Sequence, residues 1–206
     1  MNLTQVAVAE RLVIGNVELR NVPFIILSDR QQPFASWGPG KRCILGMQVL
    51  LAVRNMTWKG SFPWARLELA RPAIPRDIQQ SNLCFNGRAP LLAAEYQGQR
   101  VMLFVDTGAG KTVLHAAFAG RFPALMVGAP RKRIAFEGVD GETTVDVAVL
   151  RALSLGIGGH DAAYRPLSVY LKGHGAADYD GMAANDLAGK ARELTFDFEA
   201  MRVRLK

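Results

Sequence analysis

The chain is poor in the residues that build metal sites and disulfide frameworks, with 2 cysteines and 3 histidines among 206 residues. Cys43 and Cys84 lack metal-ligand spacing and read as two reduced, partly buried thiols, with a single disulfide as the alternative. His115, His160 and His174 are scattered, so neither a metal nor a cofactor is expected. No apolar run reaches the ~20 residues of a membrane-spanning helix, and the N-terminus shows no basic-then-apolar leader pattern, which leaves localisation open. The net charge of +7 is spread thinly. Its densest cluster, Arg131-Lys132-Arg133, reads as a solvated turn ahead of Ile134-Ala135-Phe136. With no nucleic-acid-binding motif, the basic balance implies at most a weak affinity for anionic surfaces, and no nucleic-acid partner is expected.

What the chain does have is an apolar half, enough for a real core, and one stretch that concentrates chemistry. Val101-Met102-Leu103-Phe104-Val105 reads as a buried strand, and Asp106-Thr107-Gly108-Ala109-Gly110 follows where that strand ends. A carboxylate beside so much apolar sequence needs its oxygens satisfied. Thr107 offers a hydroxyl, and Gly108 permits a tight backbone whose amides face the acid. The bland alternative is an Asp capping a helix that begins at Thr107 or Gly108. A second alternative is a phosphate-binding loop in Gly108-Ala109-Gly110-Lys111-Thr112. It fails on two counts: valine stands at position 105, where the first glycine belongs, and the Asp106 carboxylate would face the phosphate.

Phe104-Val105-Asp106-Thr107-Gly108-Ala109, followed by Thr112-Val113-Leu114, resembles the active-site loop of the retropepsin-like aspartic proteases. The neighbouring sequence extends the resemblance. A hairpin from Leu91 to Val105 turns near Gln97-Gly98, and a glycine-containing turn, Gly138-Val139-Asp140-Gly141, resembles the family's flap. Asp180-Gly181-Met182-Ala183-Ala184-Asn185-Asp186-Leu187 resembles its late Asp-Gly stretch, and Leu194 to Leu205 its closing hairpin. An ordinary surface hairpin is the alternative for the flap. Two departures stand out. Met182-Ala183-Ala184 puts alanine where the family has glycine, at a place of close backbone approach. Lys111 is a bulky cation near the acid, and would lower its pKa if it pointed inward and leave it untouched if it pointed out.

The chain's parts recur. Leu12-Val13-Ile14-Gly15 through Pro23 to Leu27 matches Leu155-Gly156-Ile157-Gly158 through Pro166 to Tyr170 at an offset of 143. After a loop over Asp29 to Arg42, Ile44-Leu45-Gly46-Met47 falls opposite Met182-Ala183-Ala184-Asn185, and Trp58 opposite Phe196. The expectation is a mostly-β chain in three parts. Residues 1–70 form a partial retropepsin-like lobe, its C-terminal part only, while 71–84 form a linker with two prolines between Arg71 and Gln80, and 85–206 form one complete acid-protease β-barrel lobe.

By resemblance, the activity is that of an aspartic endopeptidase or its catalytic half. Asp106, Thr107 and Gly108 are then the catalytic loop, and Ala109 with Gly138, Val139, Asp140 and Gly141 line the bound peptide. The family needs two such aspartates, sharing a proton because like charges about 3 Å apart do not both ionise. Residues 1–206 hold no second Asp-Thr-Gly or Asp-Ser-Gly, so the second carboxylate is expected from an upstream segment or from a second copy in a homodimer. A non-catalytic peptide-binding or assembly module of the same fold is the alternative.

Overall fold

Short apolar runs broken by glycine and asparagine give strands wherever the sequence alternates. A computed structural model describes residues 5–28, 43–60, 66–69, 81–138, 141–172 and 179–206. In chain order, the first half has β1 (Gln5–Ile14), β2 (Val17–Ile26), α1 (Met47–Ala52), β3 (Asn55–Lys59) and β4 (Arg66–Leu69). Next come β5 (Leu83–Asn86), β6 (Ala89–Tyr96), β7 (Gln99–Val105), β8 (Val113–Leu114), α2 (Ala116–Arg121) and a 3-10 turn at Pro123–Met126. The chain then runs through β9 (Arg131–Gly138), β10 (Gly141–Leu150), β11 (Leu153–Ile157), β12 (His160–Tyr164), β13 (Leu167–Tyr170) and β14 (Gly181–Ala183). A 3-10 helix at Asn185–Lys190 precedes the closing hairpin of β15 (Glu193–Asp197) and β16 (Arg202–Leu205). With 56% strand against 14% helix, the mostly-β expectation holds, and the main sheet curls into a half-barrel.

That main sheet has ten strands, in the order β12-β11-β6-β7-β14-β8-β13-β10-β9, with β5 also paired to β6. The β6–β7 hairpin turns at Gln97 and Gly98, both at positive φ, a conformation that matches the right-handed twist of the strands it joins. Inside the curl, Leu92, Val101, Leu103, Leu114, Leu155 and Ile157 are wholly buried, each worth about 1.5–3 kcal/mol of transfer from water. On the sheet's other face Val113, Val145, Val147 and Tyr170 form a smaller cluster, joined by Ile134 and Met182. Alternation explains both clusters: successive residues Val113 and Leu114, or Met182 and Ala183, point to opposite faces.

The topology near β14 positions the site. β14 lies between β7, to which it is parallel, and β8, to which it is antiparallel. The segment 106–112 that joins β7 to β8 must therefore cross the C-terminal end of β14. Gly181 makes the insertion feasible, since a Cβ there would lie 2.5 Å from the Val113 carbonyl oxygen.

The first half contributes differently. Among the described residues β1 and β2 pair with each other as a two-stranded sheet turning at Gly15-Asn16, while β3 and β4 join β15 and β16 in a four-stranded sheet ordered β16-β15-β3-β4. This second sheet is built from like parts. Adding 138 to the bounds of β3 gives 193–197, those of β15, and adding 138 to those of α1 gives 185–190, those of the 3-10 helix. β3 and β15 run antiparallel with Thr57 opposite Thr195, their hydroxyls 2.9 Å apart at the centre of the pairing. Trp58 and Phe196, equivalent by the same offset, meet edge to face with centroids 5.7 Å apart.

Some expectations change. Both cysteines are free and exposed rather than partly buried, because the alternation of β5 turns Leu83 inward and Cys84 out. Ser81 bonds to the Ala200 carbonyl and Asn82 to both backbone groups of Val203, so residues 81–86 are bound to the body of the protein. The expected linker from Arg71 to Gln80 lies outside the described residues. Among the described residues no helix is long and apolar enough to cross a membrane.

Candidate active site

Asp106 sits at the C-terminal end of β7, half-buried, where the strand's core residues Val101 and Leu103 fix its position. Its N–H donates to the Ala183 carbonyl of β14 at 2.9 Å, which extends the β7·β14 ladder by one bond. Its side-chain Oδ1 then accepts the Gly108 N–H at 2.9 Å. Glycine suits this return: a Cβ at position 108 would lie 3.1 Å from Oδ1. The expected amide facing the acid is therefore Gly108's. Thr107 is exposed, and among the described residues its hydroxyl makes no bond to Asp106.

Beyond the acid, the loop is clamped at both sides of the β14 terminus. The Ala109 carbonyl accepts the Asn185 N–H at 3.0 Å. Thr112 is buried and engaged three ways: its N–H and hydroxyl both donate to Asp186 Oδ1, at 3.0 and 2.6 Å, while its oxygen accepts the Ala184 N–H at 3.1 Å. A charge-assisted O–H···O bond this short is among the stronger side-chain contacts available. Beneath it, burial pushes the Tyr164 phenol well above its ordinary 10.0; the Thr112 hydroxyl opposes the rise and the Asp186 charge adds to it. The loop thus rests on fixed supports. Because it leads into β8 and not into a helix, neither the helix-cap nor the phosphate-loop alternative for Asp106 holds. Lys111 is exposed, and Ala184, the alanine at the expected glycine position, is buried, as is Ala183 before it.

A second carboxylate supports the near end of β14. Asp180, almost fully buried, accepts the Met102 N–H at 2.8 Å and Arg121 Nη1 at 2.7 Å, and Arg121 also donates to the Arg100 carbonyl at 2.7 Å. The pair ties α2 and β7 to the strand that carries the loop. Next to it His115 is buried against Tyr170, their rings stacked at 10° with centroids 5.7 Å apart. Among the described residues Nδ1 of His115 has no partner, and the ring is hydrogen-bonded to the backbone of Tyr179.

Burial holds the His115 pKa below its ordinary 6.5, against the raising effects of the Tyr179 carbonyl and the Asp180 charge. A histidine kept neutral by the fold contributes stability that is present above pH 6.5 and lost as pH falls through the depressed folded value. His115→Phe is accordingly expected to lose less stability than the wild type between neutral and mildly acidic pH. Urea melts of both proteins at the two pH values check this, and equal losses would contradict it.

No protein-family model matches the chain, and no curated protein matches it. Its chemistry has to be read from the site itself. Of the residues expected to act, Asp106, Thr107, Gly108 and Ala109 come together in one loop. Gly138 and Gly141 pair at the end of the β9–β10 hairpin, and Val139 and Asp140 lie outside the described residues. The sequence reading assigned no role to Asp186, Asp180 or Arg121. The first two stand in the stretch 180–187 that carried the resemblance, so a signal for them was present, whereas Arg121 had none. A polar hollow of about 880 Å³, lined among others by Asn82, Glu95, Arg100, His160, Asp161 and Arg202, takes no residue from the Asp106 loop. Among the described residues no group of three or more His, Cys, Asp or Glu side chains is placed to hold a metal ion.

Proposed function

We propose that this protein is an aspartic endopeptidase, or the catalytic half of one, with a retropepsin-like lobe over residues 85–206 and a partial lobe over residues 1–70. One observation carries the proposal: a strand-end carboxylate, Asp106, sits on a loop that crosses the end of an inserted strand and is held there by Ala183, Asn185 and Asp186. Such a loop fixes a carboxylate while leaving one side open. Thr107, Gly108 and Gly110 are exposed on that side. The Val113 and Met182 side chains, next to the loop, offer an apolar floor for a peptide's side chains, and the β9–β10 hairpin takes the part of the flap in this reading.

In the proposed reaction Asp106 and a second carboxylate from outside residues 1–206 hold one proton between them. The ionised member takes a proton from water as its oxygen attacks the peptide carbonyl, and the protonated member gives its proton to the carbonyl oxygen. The tetrahedral diol then collapses: one of its hydroxyls gives a proton to the ionised carboxylate, the C–N bond breaks as the leaving amine takes a proton from the other, and the dyad is left with its one shared proton. Substrate is a peptide or unfolded protein, and no cofactor enters the balance.

A coupled pair works with one of two protons in place, so the expected pH profile is bell-shaped and acidic. Cleavage of a denatured protein, followed across the acidic range with protein purified from its native source so that whatever completes the site comes with it, tests the proposal. A rate that rises monotonically to alkaline pH would overturn it. A second reading, a peptide-binding or assembly module without catalysis, draws on the lone Asp-Thr-Gly in the chain. Cleavage at no pH would favour that reading.

A further inference from the structure

The β6 strand changes partner part-way along. The Ala93 N–H goes to the Asn82 carbonyl, while Glu95, two residues on, pairs with Gly156 of β11. The ladders carry that pair outward in both directions, Glu95 to Arg100 on β7 and Gly156 to Asp161 on β12, and residues paired across strands share a face of the sheet. Arg100, Glu95, Gly156 and Asp161 therefore form one row over four strands. The row lies on the face away from the core, because the sequence neighbours Val101, Ala94, Leu155 and Ala162 are all buried.

Glycine in this row leaves no side chain between two carboxylates. At a strand spacing of about 4.8 Å, the backbones of Glu95 and Asp161 stand roughly 10 Å apart with Gly156 between them. All four residues of the row line the polar hollow of about 880 Å³, a volume in the range of small-ligand sites. Arg202 of β16 lines it from the side, and that side is held in place. Asn82 bonds to both backbone groups of Val203, and the β11–β12 turn packs so closely on β16 that a Cβ on Gly158 would lie 2.6 Å from the Val203 carbonyl oxygen. Acids and bases share the hollow without neutralising one another. Among the described residues no ion pair joins Glu95 or Asp161 to Arg100, His160 or Arg202, and the buried Nε of Arg202 has no hydrogen-bond partner.

We propose that this hollow binds short peptides with both ends free. The ligand's ammonium lies over Gly156 between Glu95 and Asp161, and its carboxylate is taken by the guanidinium groups of Arg100 and Arg202. Charges of both signs at fixed places select a ligand that carries both, since the arginines repel a dication and the acids a dianion. The span sets the size. Gly156 and Arg100 are two strand spacings apart, again roughly 10 Å, and an extended chain covers about 3.5 Å per residue, so two or three residues fit. The inference does not depend on cleavage at Asp106, because the hollow takes no residue from that loop.

Titration of the isotope-labelled full chain with trialanine, followed by nuclear magnetic resonance at the Gly156 amide, tests the assignment. Saturable shifts are expected there, with N-acetyl-trialanine and trialanine amide each binding at least about tenfold more weakly, because each lacks one charge-assisted contact. Glu95→Gln, at an exposed position, should weaken trialanine by a similar factor and leave the acetylated peptide unaffected. Gly156→Val should remove binding altogether: a Cβ there meets Glu95 at an ordinary 3.5 Å, so the strand accepts the side chain while the space over the row is filled. Asp106→Asn should bind trialanine as the wild type does. Equal affinity for the free and blocked peptides, undiminished binding by Glu95→Gln, or no shift at Gly156 would overturn the inference. Free alanine binding as tightly as trialanine would overturn it too, since the site would then not read a peptide's length.

Discussion

Replacing Asp106 by Asn is expected to lower peptide cleavage by about 10²–10⁴-fold, the usual contribution of a positioned general acid–base group, while leaving the fold intact. The geometry separates the two effects. Asn keeps a carbonyl oxygen to accept the Gly108 N–H, and the backbone bond from Asp106 to Ala183 does not involve the side chain. Stability should therefore stay within about 0.5 kcal/mol of wild type, as for most changes away from core and network. What disappears is the ionised oxygen that takes a proton from water. The amide has no basic site to replace it. Initial rates on a denatured protein, beside thermal melts of both proteins, give the two numbers together. A variant that cleaves at the wild-type rate would exclude Asp106 from the chemistry, and one that loses activity only because it unfolds would say nothing for catalysis.

Gly181→Ala should show the opposite pattern, a loss of fold that carries activity with it. A Cβ at this position would stand 2.5 Å from the Val113 carbonyl oxygen, 2.9 Å from a Leu114 methyl and 3.0 Å from the Leu114 Cα. Two of the three are backbone, so no rotamer change relieves the contact, and β14 or β8 has to move. Overpacking of this kind costs about 2–3 kcal/mol, a fall in Tm of roughly 5–10 °C for a domain of this size. Moving β14 also displaces Ala183 and Ala184, which hold the two ends of the Asp106 loop. Gly189→Ala is the matched control, because a Cβ there meets nothing within 4 Å. Melting curves for both variants check the prediction, and an unaltered Tm in Gly181→Ala would mean that β14 is not wedged between its neighbours as described.

The elements that the sequence announced are those set by neighbours in the chain. Gly15-Asn16 and Gln97-Gly98 each mark a hairpin because φ > 0 is a local demand, and the apolar run ending at Asp106 marks a buried strand that stops at a polar turn. The repeat was visible as similar apolar patterns at similar spacing, but its geometric content was not. Nothing local in Asn55–Lys59 says that it pairs with Glu193–Asp197, or that Thr57 and Thr195 stand opposite each other. The clamp on the acid's loop has the same character. Thr112 and Asp186 are 74 residues apart, and only the insertion of β14 between β7 and β8 brings them together. Cys43 and Cys84 illustrate a third limit: cysteine composition favours burial, whereas both thiols are exposed, at Cys84 because strand alternation turns it outward.

In the proposed reaction Asp106 stabilises a tetrahedral centre formed by water addition to a peptide carbonyl. Binding of a peptide whose scissile amide is replaced by a tetrahedral secondary alcohol tests this most directly, because it reads recognition of the transition state without requiring turnover. The protein from its native source should bind the alcohol at least about 100-fold more tightly than the matched amide, as transition-state analogues do, and the Asp106→Asn variant should bind the two alike. Equal affinity of the wild type for alcohol and amide would contradict the account.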